Sequence, residues 1–317
     1  MRHSAKSRTF SFIGVTTAQS AIMDVFPKWA EHLGLLDVNV VGIDFAPRSD
    51  RQSYRDAVTS IKADDLELGG LVTTHKLDLF ESCRDIFDYI DPYAELLREV
   101  SSISKRGGHF RAHAKDPISS GRALSQFIGP GYWSATGAMA LLFGAGGANS
   151  AISVNLVSGR PPADRPARIT VVDIDPGRLE AVREVHERLG ELCEVRYVLS
   201  SGRPLNDSLM ASLPAGSLVV NGTGMGKDSP GSPVSDEAIF PEHGLVWELN
   251  YRGALDFLHQ ARRQCEPRQL HIEDGWNYFV HGWCCVIEEV FNIEIGTQMR
   301  QELSEIAVTA RRRQEGP

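Results

Sequence analysis

Short apolar runs alternate with segments of helical periodicity along the whole sequence, and this alternation restricts the chain to few folds. The runs "FSFIGVT", "VNVVGIDF" and "GGLVTTH" are typical of β-strands, and "SAIMDVFPKWAEHLG" between the first two has a helical pattern that ends at Gly34. Strand–helix–strand repeats build parallel sheets that are covered by helices on both faces. The sequence therefore predicts an α/β protein with parallel sheets.

A second alternating series starts at "AMALLFG", after a break near residues 116–130. Two series predict two α/β domains. The segment that starts at "WNYFVHGW" is helical and lacks strands of its own, so we expect it to fold back onto the first domain. We place the first domain at residues 8–118 plus 277–317 and the second at residues 119–276.

Composition excludes several classes of protein. The chain has 317 residues, 42% of them hydrophobic, and a formal net charge of −8, which argues against a nucleic-acid binder because phosphate contacts need a cationic face. No apolar stretch approaches the length of a membrane span, and the basic "MRHSAKSR" predicts a short disordered tail and no signal peptide.

The cysteine pattern points to a reducing compartment. The five cysteines include no C-x-x-C pair, so we expect neither structural disulfides nor a zinc site, and a cytoplasmic location fits. His109 and His113 would lie about 13 Å apart along a strand, too far to share one metal, and no metal site is predicted.

The segment "LLFGAGGANSAI" combines a buried strand, a glycine turn and the start of a helix, as in G-x-G-x-x-G dinucleotide-binding loops. Gly144 would allow the tight turn, and Gly146 would let the backbone approach a pyrophosphate at the helix N-terminus. Asn149 occupies the third position, where glycine or alanine is usual. The second domain is therefore predicted to be a Rossmann-type domain. The predicted loop residues are Gly144, Ala145, Gly146, Gly147 and Ala148.

An acidic residue follows the next predicted strand, in "VVDIDP". Asp173, with Asp175 as its rival, would accept hydrogen bonds from the adenosine ribose and repel a 2′-phosphate. The alternative role for Asp173 is a helix cap. Arg160, Arg165 and Arg168 could contact a phosphate, but they precede the strand or begin it, so NAD is favoured over NADP.

These motifs together resemble the shikimate/quinate dehydrogenase family, in order and over nearly the whole chain. "LVTTHK" resembles the family's N-V-T-x-P-x-K with one residue fewer, and "AKDPISSGRAL" resembles N-T-D-x-x-G and the helix after it. The remaining matches are "FIGVTTAQS" to the opening strand and serine loop, "GAGGANSAI" to G-A-G-G-A, "VVNGTGMG" to N-A-T-P-x-G, "LVWELNY" to D-x-x-Y, and "DGWNYFVHGW" to D-G-x-x-M-L-x-x-Q.

The resemblance implies a dehydrogenase that acts on a ring hydroxyl of a shikimate- or quinate-like acid. Lys76 and Asp116 would form the catalytic pair, facing a nicotinamide across a cleft between the domains. Oxidation of an alcohol requires loss of the hydroxyl proton, which a lysine can shuttle while a carboxylate orients it. By the same resemblance Thr223 and Gly226 lie near the nicotinamide. The implied or replacement substrate contacts are Ser20, Thr73, Ser101, Tyr251, Asn277 and His281.

The chain departs from the family at positions that contact substrate. Ile22, Ser101, Ala114 and Gly282 stand where the family has a serine, two asparagines and a glutamine, and Lys115 replaces a threonine. A lost partner for a buried polar group costs roughly 1–3 kcal/mol, so another hydroxylated ring is at least as good a candidate as shikimate. His109, Arg111, His113 and Lys115 alternate on one predicted strand, as a solvated face or as a patch for a substrate carboxylate.

Other functions remain open at this point. A methylenetetrahydrofolate-dehydrogenase-like enzyme has a similar fold and a lysine in the cleft, but it needs an aromatic slot for the pterin. A metabolite-sensing module on the same fold would tolerate the altered substrate positions, but it would need neither Lys76 nor Asp116. His75 could be a structural neighbour of Lys76 or a polar contact in the cleft. The expected partner is a small molecule, with no nucleic acid or membrane, and a homodimer through exposed faces of the first domain is compatible with the sequence.

Overall fold

The computed structural model describes Ala5, residues 7–190 and residues 193–315, the last six of these by their backbone alone. Most of the predicted N-terminal tail lies outside the described residues. The chain divides into two compact units, one formed by the residues up to Lys115 with those from Val280 onward, and the other by Asp116–Phe279. Both junctions differ by three residues from the bounds that we predicted, 115 against 118 and 279 against 276.

The N-terminal part of the first unit contains six strands and four α-helices among its described residues. The strands are β1 (Arg8–Gly14), β2 (Val38–Asp44), β3 (Glu67–Val72), β4 (Tyr89–Ile90), β5 (Ser102–Arg106) and β6 (His109–His113). The helices are α1 (Ile22–His32), α2 (Arg51–Ala63), α3 (Lys76–Cys83) and α4 (Pro92–Leu97), with 3₁₀ turns at Thr17–Gln19 and Arg84–Ile86.

The first sheet has the strand order β2-β1-β3-β5-β6-β4. Strands β1, β2 and β3 are parallel, as predicted, but β5 runs antiparallel to both β3 and β6. The sequence reading missed β5, and therefore also the hairpin that joins it to β6. Helix α3 stops at Cys83, and the chain continues through a 3₁₀ turn into β4.

Strands and helices mostly alternate in the second unit. Its elements are α5 (Asp116–Leu124), α6 (Tyr132–Thr136), β7 (Ala140–Phe143), α7 (Gly147–Ser158), β8 (Ile169–Asp173), α8 (Pro176–Leu189), β9 (Val195–Leu199), α9 (Arg203–Ala211), β10 (Leu218–Asn221), β11 (Leu245–Glu248), α10 (Asp256–Arg263), α11 (Cys265–Arg268) and β12 (His271–Glu273). Helix α12 (Trp276–Phe291) begins in this unit and ends in the first, where α13 (Thr297–Glu315) follows.

The second sheet is parallel throughout and has the strand order β12-β11-β10-β7-β8-β9. Counted from β7, this is the 3-2-1-4-5-6 order of a dinucleotide-binding fold, with its switch point between β7 and β10. Alternate residues of β7 face two cores: Ala140 and Leu142 pack on one side, and Leu141 and Phe143 on the other. Burial on both faces explains why these strands read as unbroken apolar runs.

Helix α13 packs against α1 within the first unit. Trp29 of α1 is fully buried, and its indole N–H donates to the carbonyl of Leu303 at 2.8 Å. His32 at the end of α1 lies 2.8 Å from the carboxylate of Glu302. The predicted return of the C-terminal helices to the first unit thus has a specific anchor. Among the described residues, none of the helices is both long and apolar enough to span a bilayer.

We expect the anchoring hydrogen bond to be measurable by comparing two tryptophans. Trp133 is as buried as Trp29, but its indole nitrogen has no hydrogen-bond partner within the described chain. Trp29→Phe should therefore reduce the free energy of unfolding by about 1 kcal/mol more than Trp133→Phe, because only the first variant breaks a hydrogen bond. Urea unfolding followed by circular dichroism measures both. Equal losses would show that the indole N–H contributes nothing.

Candidate active site

The turn after β7 brings two loops of the second unit into close contact. Gly144 has a φ of +94°, and a Cβ there would lie 2.9 Å from the carbonyl oxygen of Gly222. Gly146 caps α7, and a Cβ on it would meet nothing within 4 Å. The first N–H groups of α7 lack partners within the helix, so they point their positive ends toward this open space. The turn can therefore hold an anion such as a pyrophosphate.

Asp173 fixes the glycine turn from the neighbouring strand. Its side chain is 7% exposed, and one carboxylate oxygen accepts a hydrogen bond from the backbone N–H of Ala145 at 2.6 Å. The other oxygen accepts from the N–H of Asp175 at 2.9 Å. Asp175 itself caps α8 by accepting from Gly177 N–H at 2.8 Å. The cap is thus Asp175, and Asp173 faces the glycine turn.

A cavity of about 490 Å³ opens at the carboxyl ends of β7, β8 and β10. Its wall includes Gly144, Gly146, Asp173 and Thr223, all of which were predicted to bind the cofactor, together with Arg178 and Arg203. The cavity lies at the switch point of the sheet, where such folds bind their ligands. The residues present therefore fit a nicotinamide dinucleotide.

The arginines of the loop before β8 lie elsewhere. Arg168 is hydrogen-bonded through its backbone to Ala140, at the amino end of β7, and its guanidinium contacts Met139 and Glu194. Arg165 donates to the carbonyl of Arg160. These side chains are therefore at the edge of the sheet opposite the cavity, and they are not phosphate ligands.

Asn149 occupies the third position of the G-x-G-x-x-G pattern, and its side chain hydrogen-bonds to the backbone of the glycine turn. Its side-chain amide donates to the carbonyls of Phe143 and Gly144, both at 2.7 Å. The space for this amide comes from Gly222, where a Cβ would lie 2.7 Å from the Asn149 side chain. The third glycine of the motif normally lets the helix pack closely against the strand. Here Gly222, on the facing loop, provides the space for the Asn149 side chain instead. Both departures were visible in the sequence, as "GANS" and "NGTG".

Thr223 and Gly226 lie on the loop after β10. Thr223 donates through its hydroxyl to the side-chain oxygen of Asn221 at 2.7 Å. Gly226, at a φ of +83°, donates its N–H to Ser229 and accepts from Leu255 N–H. This folded loop forms one wall of the cavity.

Lys76 is the first residue of α3, because β3 ends earlier than expected, at Val72. The lysine therefore stands at the positive end of the helix dipole, where a cation is disfavoured. The lysine is half-buried. The turn before it is tight: His75 N–H donates to the carbonyl of Thr73 at 2.5 Å, and Thr74 has a φ of +60°, which is unusual for a β-branched residue.

His75 holds this turn against three other elements. The ring is 1% exposed, with Nε2 within 3.2 Å of the carbonyl oxygens of both Gly14 and Phe45, and Nδ1 at 2.9 Å from the hydroxyl of Tyr54. Two carbonyls at Nε2 require a donor there, so Nδ1 can accept from Tyr54. His75 is therefore the structural neighbour of Lys76.

The other predicted site residues are distributed over both units. Thr73 donates its N–H to Ile13 and lies beside Gly14. Tyr251 packs edge-on against Trp276, with ring centroids 5.4 Å apart. The remaining positions are Ser20 after the first 3₁₀ turn, Asp116 at the start of α5, and Asn277 and His281 on α12, all of them half-buried except the buried His281.

Ser101 belongs to the sheet. Its hydroxyl accepts from the N–H of Lys115 at 2.7 Å and lies 3.4 Å from the carbonyl of His113. These contacts extend the pairing of β5 with β6, which gives the side chain a structural role.

Of the four basic residues predicted to alternate along β6, His109 is exposed, as a solvated face requires, but His113 and Lys115 match neither interpretation of the sequence. His113 is 4% exposed and lies between two carboxylates, 3.1 Å from Asp91 and 3.0 Å from Glu289, although the second contact is poorly aligned for a hydrogen bond. Lys115 pairs with the other oxygen of Glu289 at 2.8 Å. Hence His113 and Lys115 are neither solvated nor available to a substrate carboxylate. The described residues contain no cluster of three or more His, Cys, Asp or Glu that could hold a metal ion.

Comparison with known proteins gives one consistent result. No model of a protein family matches the chain. Among curated proteins, the shikimate dehydrogenase (NADP(+)) of Streptococcus gordonii is 26% identical over 84% of this chain and 85% of its own length. The chain is thus similar in sequence to shikimate dehydrogenases.

Solved structures share the fold of this chain. Quinate dehydrogenase from Corynebacterium glutamicum in complex with NAD superposes with a TM-score of 0.71, at 18% identity, over 96% of this chain and 99% of that one. Shikimate 5-dehydrogenase from Listeria monocytogenes, in complex with shikimate and NAD, has a TM-score of 0.70 at 17% identity, over 96% and 98%. 5-Ketofructose reductase of Gluconobacter sp. strain CHM43 also reaches 0.70, at 20% identity, over 95% and 98%.

The ion pairs of Glu289 predict how stability depends on pH. Burial raises the pKa of this carboxyl, but hydrogen bonds and charges from His113 and Lys115 outweigh burial and hold it well below the ordinary 4.5. Because the folded-state pKa is the lower one, this stabilisation is complete above pH 4.5 and is lost as the pH falls through the folded-state value.

We expect Glu289→Gln to unfold more easily than the unmodified protein at pH 7, by about 3 kcal/mol, because it leaves the half-buried ammonium of Lys115 without its anion and removes one of the two carboxylates beside His113. The difference should shrink below pH 4. Urea unfolding from pH 7 to pH 3 measures it. A difference that stays constant over this range would mean that the ion pairs do not stabilise the fold.

Proposed function

We propose that this shikimate dehydrogenase-like oxidoreductase interconverts a ring hydroxyl and a ketone on a cyclic polyol acid, with a nicotinamide dinucleotide as the second substrate. The glycine turn at the switch point carries the proposal. There, Gly144 packs against Gly222, and open space lies in front of Gly146 at the N-terminus of α7. A bound dinucleotide would accept or supply the hydride.

The proposed catalytic pair is Lys76 and Asp116. For oxidation, the Lys76 amine takes the hydroxyl proton as the C–H bond breaks, and the Asp116 carboxylate orients the hydroxyl. For reduction, Lys76 returns the proton to the forming alkoxide. Support comes from the fixed position of the lysine: His75 ties the preceding turn to Gly14, Phe45 and Tyr54, so the amine starts from a rigid support.

NAD is proposed as the preferred cofactor, although the curated relatives are named for NADP(+). Asp173 lines the cavity, and the turn from Asp173 to Gly177 contains no cationic residue and two carboxylates. A negative charge at this point accepts hydrogen bonds from a ribose and repels a 2′-phosphate. Arg178 and Arg203 also reach the cavity wall, so the preference rests on Asp173.

The substrate is proposed to differ from shikimate in its polar groups. Ile22 and Ala114 are apolar where the family has polar side chains, and Ser101 is used by the sheet. A panel of shikimate, quinate, related ring acids, a keto sugar and a tetrahydrofolate derivative, each with NAD and NADP, tests the proposal by the absorbance of the reduced cofactor. The keto sugar tests the ketofructose reductase likeness, and the folate tests a pterin slot at the Tyr251, Trp276 and Phe279 rings. Absence of turnover with every member would favour a sensing module.

For the lysine, we expect Lys76→Met to lower kcat by about 10²–10⁴-fold while the affinity for the dinucleotide stays unchanged, because only proton transfer is lost. Lys105→Met is the matched control. That lysine is half-buried in the same unit, donates to the carbonyl of Asp64 and has no proposed role. Steady-state kinetics and cofactor titration measure both variants. Full turnover in Lys76→Met would remove the catalytic assignment.

For the cofactor, we expect the protein to have the higher kcat/KM with NAD. Asp173→Asn should shift the NAD/NADP ratio toward NADP by at least about tenfold, because it removes the charge and keeps an acceptor for Ala145 N–H. Initial rates with both cofactors measure the ratio. A higher kcat/KM with NADP in the unmodified protein would contradict the preference for NAD and leave the proposed reaction intact.

A further inference from the structure

Glu248 is a fully buried carboxylate at the end of β11, outside the residues so far given a role. One oxygen accepts from the side-chain amide of Asn221 at 2.7 Å. The other accepts from both the backbone N–H and the side-chain amide of Asn250, at 2.8 and 2.7 Å. All three contacts are donors directed at the carboxylate, so a group with two acceptor oxygens suits this position.

Both asparagines connect Glu248 to the loop that forms one wall of the cavity. Asn221 uses its side-chain oxygen to accept from Thr223, from its hydroxyl at 2.7 Å and its N–H at 3.2 Å. The Asn250 amide reaches the carbonyl of Met225 at 3.1 Å as well as Glu248. Thr223 and Met225 both line the cavity. The loop Gly222–Gly226 is thus held at two points by groups that Glu248 orients.

The groups that shift the pKa of Glu248 are neutral amides and one other carboxylate. Its pKa is raised to about 7, chiefly by burial and in smaller part by the carboxylate of Asp274, and the amides of Asn250 and Asn221 offset this only in part. No cation is among these causes. A buried acid held by neutral amides contributes little to stability, since desolvation opposes the hydrogen bonds. A geometric role explains it better than a stabilising one.

We propose that Glu248 is a positioning residue that holds the loop Gly222–Gly226 against the bound dinucleotide through Asn221 and Asn250. The inference rests on the proposed function, since the loop needs a ligand to position. It identifies a residue that sequence reading did not single out. A glutamine at this position would turn an NH₂ group toward one of the asparagine donors, and the asparagine could not turn over without losing its contact with the loop.

The test compares two carboxylates of the same unit. Glu248→Gln should raise the Kd for NAD at least about tenfold, the equivalent of one charge-assisted hydrogen bond, and should raise KM for NAD while KM for the ring substrate changes less than about twofold. Asp164→Asn is the matched control. Asp164 lies in the loop before β8, away from the cavity, and is buried. Its carboxylate accepts hydrogen bonds from the backbone N–H groups of Gly131, Trp133 and Ser134.

The control should lose stability but keep its Kd for NAD, which separates positioning from a general loss of structure. Kd comes from titration of the intrinsic tryptophan fluorescence with NAD, and folding from circular dichroism. If Glu248→Gln does not fold, Asn250→Ala decides, because it removes the side-chain bonds to Met225 and Glu248, leaves the Asn221 bond in place, and should raise the Kd in the same direction.

Each outcome has one meaning. A folded Glu248→Gln, or Asn250→Ala in its place, that binds NAD as tightly as the unmodified protein overturns the inference alone. An equal loss of affinity in Asp164→Asn also overturns it. An unmodified protein that binds neither NAD nor NADP overturns the proposed function, and the inference with it.

Discussion

The second unit depends on the contact between the glycine turn and its neighbours at the carboxyl ends of three parallel strands. Gly144 can approach Gly222 because neither has a side chain, and the turn is fixed there by the bond from Ala145 N–H to Asp173. The parallel sheet brings these strand ends to one edge, while short loops keep the backbone N–H groups of α7 directed outward. The anion-binding space is therefore formed by backbone packing and backbone N–H groups, and it does not depend on the side chains that determine specificity.

The sequence predicted the second unit well because its signals are local. Its central strands are buried on both faces and apolar throughout, and Asp175 caps the helix that follows β8. Strand β5 of the first unit was missed for the opposite reason. Its buried residues include Ser102 and Ser104 on either side of Ile103, so the hydrophobic pattern of a strand is absent. Ser104 is compensated by Glu289 of α12, a contact that spans much of the chain and that no local pattern reports.

Several site residues are locally unfavourable in their backbone conformation, charge or motif position, and contacts with residues distant in the sequence compensate for this. Lys76 stands at a helix start against the dipole, and Thr74 before it adopts a left-handed φ, yet His75 ties the same turn to three other segments. Asn149 breaks the glycine motif, and Gly222 on another loop makes room for it. Residue types could be assigned from the motif order, but these compensations could not, because each joins residues that are far apart in the chain.

Two glutamates, Glu289 half-buried and Glu248 fully buried, show how the partners of a charge determine its role. Glu289 faces Lys115 and His113, and its pKa is lowered, so the charged form stabilises the first unit. Within the described residues, Glu248 accepts hydrogen bonds from amides and lies in the field of the Asp274 carboxylate, and its pKa is raised to about 7, so the charged form is costly at neutral pH. When burial of a charged group costs more free energy than its hydrogen bonds return, a role other than stabilisation explains the residue. For Glu248 that function is geometric, because its partners end on the loop that faces the cavity.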